Sequence, residues 1–89
     1  MDEIYIGKVI HYYSKINVAV VALEKELTTG DVVHFKSPAS REAKVDFEQM
    51  VDSMEIEHQK IQTAEPGQEV AARVEQRVRK KDRVYKKVS

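Results

Sequence analysis

Glu42-Ala43-Lys44-Val45-Asp46-Phe47-Glu48-Gln49-Met50-Val51-Asp52-Ser53-Met54-Glu55-Ile56-Glu57-His58 is the stretch on which the fold turns. Ala43, Phe47, Met50 and Met54 fall near helical spacing, with Ile61 beyond, and the many Glu, Gln and Lys residues favour a helix. The same stretch also reads as extended chain. Val45 and Phe47 then share one face, the register changes, and Met54, Ile56 and His58 follow. Val70, Val74 and Val78 repeat the ambiguity, because Val70, Ala72 and Val74 also alternate. Local rules leave helix and strand level here.

The preceding half is less divided. Ile4 to Tyr12 is rich in β-branched and aromatic residues, interrupted by Gly7, which marks a bulge or a close backbone approach. Ser14-Lys15 can turn the chain. Ile16, Val18 and Val20 then occupy one face and Ala19, Val21 and Leu23 the other, the pattern of a strand covered on both sides. Leu27-Thr28-Thr29-Gly30-Asp31 is a turn in which Gly30 supplies positive φ, and Val32 to Lys36 returns as a strand. Residues 37–44, with Pro38 and Ser40, read as a loop. Ala64-Glu65-Pro66-Gly67 is a turn under either reading, since Pro presets φ and Gly permits the left-handed region.

The length of 89 residues allows one domain, 1–89, with its core over about 4–88. An apolar share of 42% with 34% charged residues fits a folded domain rather than a disordered one. The absence of cysteine excludes disulfides, thiolate metal sites and thiol catalysis, and suits a cytoplasmic location. The start is acidic and no apolar run approaches a membrane span, so neither export nor membrane insertion is expected. A net charge of zero conceals an asymmetry. Residues 1–69 carry 7 Lys/Arg against 13 Asp/Glu, and residues 70–89 carry 8 against 2. Charge pattern alone reads this end as a solvated edge protected against aggregation.

The order of motifs carries a resemblance. Gly7-Lys8-Val9 precedes a long apolar strand. Then come Leu27-Thr28-Thr29-Gly30-Asp31-Val32-Val33, Val45-Asp46-Phe47, Val51-Asp52-Ser53-Met54, Ala64 with Pro66-Gly67 and Val70, and finally Lys81-Asp82-Arg83-Val84. This succession resembles the second domain of translation GTPases such as elongation factor Tu, over about residues 6–86. The last motif departs from that family in having Lys81 where a glycine is usual. Similar small barrels also occur at the carboxyl end of collagenase-like peptidase family proteins. The resemblance implies an all-β fold, a small closed antiparallel barrel of six or seven strands, with 42–58 as a bent strand pair.

Catalytic constellations are wanting. Gly7, Gly30 and Gly67 cannot form a phosphate loop, and Gly7-Lys8 is followed by Val9 where a hydroxyl is needed, so nucleotide hydrolysis is not expected. His11, His34 and His58 are far apart with no metal-ligand spacing, so no metal or other cofactor is expected. Ser14, Ser37, Ser40 and Ser53 sit in no nucleophile motif. Glu55 and Glu57 read as a solvated acidic face. The chain is expected not to be an enzyme.

The strongest functional signal is basic. Arg73, Arg77, Arg79, Lys80, Lys81, Arg83, Lys86 and Lys87 could line one rim that neutralises phosphates, with Tyr85 available to stack on a base. The expectation is a binding module associated with RNA or the translation machinery, with tRNA, rRNA or the ribosome as partner. The alternative is a protein-interaction adaptor or accessory subunit docking on a larger enzyme or GTPase.

Overall fold

The computed structural model describes residues 2–39 and 44–88. They form strands β1 (Asp2–Tyr13), β2 (Val18–Leu23), β3 (Leu27–Thr28), β4 (Val32–Lys36), β5 (Asp46–Met50), β6 (Met54–Ile56), β7 (Gln59–Ile61), β8 (Thr63–Ala64), β9 (Glu69–Arg73) and β10 (Arg83–Val88). No helix occurs among the described residues. Residues 40–43 of the expected 37–44 loop lie outside them.

Of the stretch 42–58, the described residues 44–58 form no helix and are extended over β5 and β6. Phe47 and Gln49 face inward on β5, Val51 follows inward, and the irregular residues 51–53 shift the register so that Met54 is again buried. Phe47, Val51 and Met54 thus acquire helical spacing by accident of that shift. Tertiary packing overrides the propensity. Phe47 stacks on Phe35 at a centroid distance of 5.1 Å, and burial of Phe35 contributes about 1.5–3 kcal/mol. Ile6, Val9, Val21, Val33, Val70, Val78 and Val84 complete the centre of the core.

Eight strands form one antiparallel sheet in the order β5-β4-β10-β1-β2-β9-β6-β7, and β3 pairs with β8. This corrects the expectation of a closed barrel of six or seven strands. The sheet curls but its strand order stays open, with β5 and β7 at its edges. The reason lies in the break at 51–53, which ends β5 after five residues. Where β5 comes beside the chain leaving β9, a side chain replaces the missing ladder. Gln49 Nε2 donates to the Arg73 carbonyl at 2.9 Å, and Gln49 Oε1 accepts from the Glu75 N–H at 2.8 Å.

Two bulges set which residues face outward. One lies between Tyr5 and Gly7 in the β1–β10 pairing, and Gly7 there runs against the Ala22 carbonyl. The other lies between Val9 and His11 in the β1–β2 pairing. Val9 faces the core. Simple alternation would point His11 and Tyr13 the same way. The extra residue instead turns Tyr12 toward the core and sends His11 and Tyr13 outward opposite Val20 and Val18.

Candidate functional site

Two outer faces of the sheet carry unusual side chains. On the β5-β4-β10-β1 face, cross-strand pairing sets Tyr5, Tyr85, His34 and Glu48 in one row, with Glu3 beside Lys87 in the next. His34 Nδ1 lies 2.8 Å from Glu3 Oε2, and His34 Nε2 is hydrogen-bonded to Asp46 Oδ1. Both ring nitrogens donate when the imidazole is charged. Burial of the ring, the largest single influence, disfavours that charge. The hydrogen bonds to Asp46 and Glu3 together outweigh it, so the pKa is raised above its ordinary value. The hydrogen bond from His34 holds the Asp46 carboxyl below the usual range. Lys87 Nζ lies 2.7 Å from Glu48 Oε2, which raises the lysine pKa.

Glu3, His34 and Glu48 bring potential metal-ligating atoms within 4.8 Å of one another. The Lys87 ammonium on Glu48 already supplies a cation there, and a dication would have to displace it. The cluster neutralises itself and ties β1, β4, β5 and β10 together. Sequence reading assigned no role to Glu3, Asp46 or Glu48, and no local signal links positions 3, 34, 46, 48 and 87.

The second face belongs to β2, β9 and β6. Val18, Val20 and Ala71 form a floor. Tyr13 and Ile16, 49% and 63% exposed, rise from the β1–β2 hairpin on one side, and His58 rises from the β6–β7 turn on the other. They flank two adjoining, solvent-open hollows of about 540 and 500 Å³. Arg73 closes one end, while Glu55, Glu57 and Glu69 line the other hollow. The strand covered on both sides, expected from Ile16 to Leu23, is therefore covered on one. Ala19, Val21 and Leu23 are buried, and Val18 and Val20 are only half-buried.

The structure distributes the eight basic residues. Arg73 belongs to the groove. Arg77, Arg79, Lys80 and Lys81 lie in the connection from β9 to β10, which Val78 anchors in the core. An Arg79 N–H bond to Asp82 Oδ2 at 2.8 Å and a Lys81 N–H bond to the Val9 carbonyl at 2.8 Å pin that connection. Arg83 lies beside Tyr5 and Tyr85. Lys86 and Lys87 point to opposite faces of β10. Lys86 Nζ donates to the Glu26 carbonyl at 2.9 Å and lies 3.8 Å from Asp31 Oδ2, while Lys87 pairs with Glu48. Tyr85 meets Tyr5 edge-on at 5.7 Å. The turn residues Gly30 and Gly67 have φ of 97° and 90°. Lys81, at the position where the resemblance leads one to expect glycine, has φ of 77°. Asp31 accepts from the Thr28 N–H at 2.9 Å, and the Gly67 N–H, next to Pro66, donates to the Leu23 carbonyl at 2.8 Å.

No protein-family model matches the sequence. Solved structures do match. The carboxyl-terminal domain of a Geobacillus thermoleovorans protein classed with the U32 peptidases superposes with a TM-score of 0.82 at 22% identity, covering 94% of this chain and 92% of that domain. The chain has the fold of that domain. Its selenomethionine variant gives a TM-score of 0.79, covering 90% of this chain and 95% of that one. In sequence, the chain is 32% identical over 83 residues to an uncharacterized protease of Methanocaldococcus jannaschii, covering 93% of this chain and 19% of the relative. It is also 32% identical over 86 residues to a collagenase of Porphyromonas gingivalis, covering 96% of this chain and 20% of the relative. The chain thus spans about a fifth of the length of the curated relatives it matches.

These matches overturn the elongation-factor resemblance and the RNA- and translation-linked function built on it. The motifs that carried it are largely turn signals, Gly30-Asp31 and Pro66-Gly67, which small antiparallel folds share because their tight turns need the same backbone geometry. The collagenase-like proteins, noted only for carrying similar barrels, are where the similarity lies. No helix of the described residues is long and apolar enough to cross a membrane.

Proposed function

We propose that this chain is a non-catalytic accessory module that docks on the body of a larger peptidase-type enzyme. The observation that carries this reading is one of proportion. Nearly the whole chain matches about a fifth of proteins named protease and collagenase, and its fold recurs as the carboxyl-terminal domain of a protein classed with the U32 peptidases. The residues agree with a binding role. The His34 imidazole has both nitrogens engaged by carboxylates, so it has no free lone pair with which to act as a base. The outer face of β2 offers apolar surface instead of polar chemistry.

The test is to remove the matching segment from the Porphyromonas gingivalis relative and titrate the remainder into the isotope-labelled 89-residue chain. Backbone amide resonances are followed by NMR. Tethered modules act at effective concentrations of roughly 1 mM, so contacts of that strength are the ones to detect. The reading expects saturable shifts or broadening of a contiguous set of resonances. A spectrum unchanged at roughly 1 mM of the truncated relative defeats it.

A further inference from the structure

We infer that the groove over Val18, Val20 and Ala71 is the surface that seats this chain on that larger body, and that the body fills it with an apolar side chain flanked by basic residues. The inference rests on the docking role proposed above and assigns it a place and a chemistry.

Three independent observations meet at this groove. The first is the apolar excess of β2. Both of its faces are apolar in sequence, yet the described chain covers only the one bearing Ala19, Val21 and Leu23. A one-sided antiparallel strand ordinarily alternates apolar with polar residues. Val18 and Val20 break that rule, and Ile16 and Tyr13 add exposed apolar bulk beside them. A contiguous apolar patch walled on both sides marks an interaction surface. Small Ala71 in the floor leaves the depth for an inserted side chain.

The second observation is charge. Glu3, Asp46 and Glu48 on the opposite face are each paired with His34 or Lys87. Among the described residues no ion pair joins Glu55, Glu57 or Glu69. All three line the groove, where the cationic side chain present is Arg73 at the far end. Such a field favours a partner whose apolar anchor carries Lys or Arg beside it, and complementarity of this kind sets register and specificity.

The third observation is backbone strain in the groove wall. Glu57 and His58, the two central residues of the β6–β7 turn, have φ of 51° and 66°. Two-residue hairpin turns of this geometry strongly prefer Asn-Gly or Asp-Gly, because a bulky side chain costs about 1–2 kcal/mol in the left-handed region. Here a carboxylate and an imidazole are held at the lip of the groove against that preference, as expected where side chains are kept for contact.

The partner's supply is also legible. The relatives extend over about five times the length of this chain, so a body large enough to cover the groove is present in each of them. The groove is therefore assigned to that body rather than to a free small molecule.

The NMR titration described above also tests this assignment. The expected result is that the perturbed amides cluster at Tyr13, Ile16–Val20, Glu55–His58 and Glu69–Arg73. Ile16→Asp, at an exposed position, should weaken binding about tenfold or more, as loss of a central apolar contact does. Met50→Asp, 56% exposed on the opposite face, should leave it unchanged. Glu55→Lys with Glu69→Lys should weaken binding most at low salt. Saturable binding whose shifts fall instead around His34, Glu48 and Lys87, or which Ile16→Asp leaves intact, overturns the groove assignment while the docking role stands. Absence of any binding overturns the docking role itself.

Discussion

Gln49, a residue only 7% exposed, spans the gap between the sheet's first edge and the chain leaving β9, donating to the Arg73 carbonyl at 2.9 Å. Its other amide atom accepts from the Glu75 N–H. One side chain therefore satisfies two backbone groups that a continuous strand ladder would otherwise serve. Gln49→Leu keeps the volume and removes both bonds. Both bonds are only partly buried, so each is worth about 0.5–1.5 kcal/mol net, and a loss of roughly 1–3 kcal/mol in unfolding free energy is expected. Urea titration measures it. A loss under about 0.5 kcal/mol means the seam is held by something else.

Gly7 is set by proximity rather than by turn geometry. A Cβ at this position would lie 2.3 Å from the Ala22 carbonyl oxygen and 3.2 Å from Leu23 Cα, both backbone atoms that cannot rotate away. Gly7→Ala must push β1 from β2 at the centre of the sheet, and we expect it to cost about 3 kcal/mol. Lys8→Ala, at the exposed neighbouring position, should stay within about 0.5 kcal/mol of the parent. Comparing the two by thermal unfolding separates a steric effect from loss of strand propensity.

The carboxylate pair around His34 makes stability depend on pH in a stated direction. The folded pKa of His34 lies above its ordinary value of 6.5, so folding favours the protonated ring. That contribution is fully present below pH 6.5 and disappears as the pH rises through the raised value. Asp46 works from the other side. Its folded pKa lies below the ordinary 3.8, so its contribution is present above that pH and is lost as the pH falls through the depressed value. Denaturant midpoints should therefore be higher at mildly acidic than at mildly alkaline pH. His34→Asn should flatten the alkaline side of that profile. An unchanged profile in the variant would show that the cluster contributes nothing to folding.

The all-β class was legible in the first half, in Ala19, Val21 and Leu23 of β2 and in Val32 to Lys36 of β4, whereas Val70, Ala72 and Val74 of β9 and the chain after it alternate but fit helical spacing with Val78 equally well. It was obscured in 42–58 because Phe47, Met50 and Met54 fall near helical spacing, which local rules cannot distinguish from a helix face, although Met50 is exposed on β5 and it is Val51, in the irregular residues 51–53, that turns inward. The groove was half legible. Val18 and Val20 were legible as an apolar face but were read as covered, and the bulge after Val9, which adds Tyr13 beside them, depends on cross-strand register and leaves no local mark. The His34 cluster draws on β1, β4, β5 and β10, and only the pairing of those strands brings its members together. Closure was read from a family likeness. The actual seam rests on one glutamine amide, a residue type that sequence patterns treat as surface.

The β6–β7 turn separates stability from binding. Replacing Glu57-His58 with Asn-Gly supplies the residues that this geometry prefers, since both positions hold positive φ. Relief of the left-handed strain is worth about 1–2 kcal/mol per non-glycine residue. Part is offset because glycine loses more freedom on folding. A net gain of about 1 kcal/mol is expected in urea unfolding. The same variant removes a carboxylate and an imidazole from the groove wall, so its affinity for the truncated relative should fall as its stability rises. If the strain served only the hairpin, the variant would gain stability and bind as the parent does. Opposite movements of the two quantities in one variant are what a wall kept strained for contact requires.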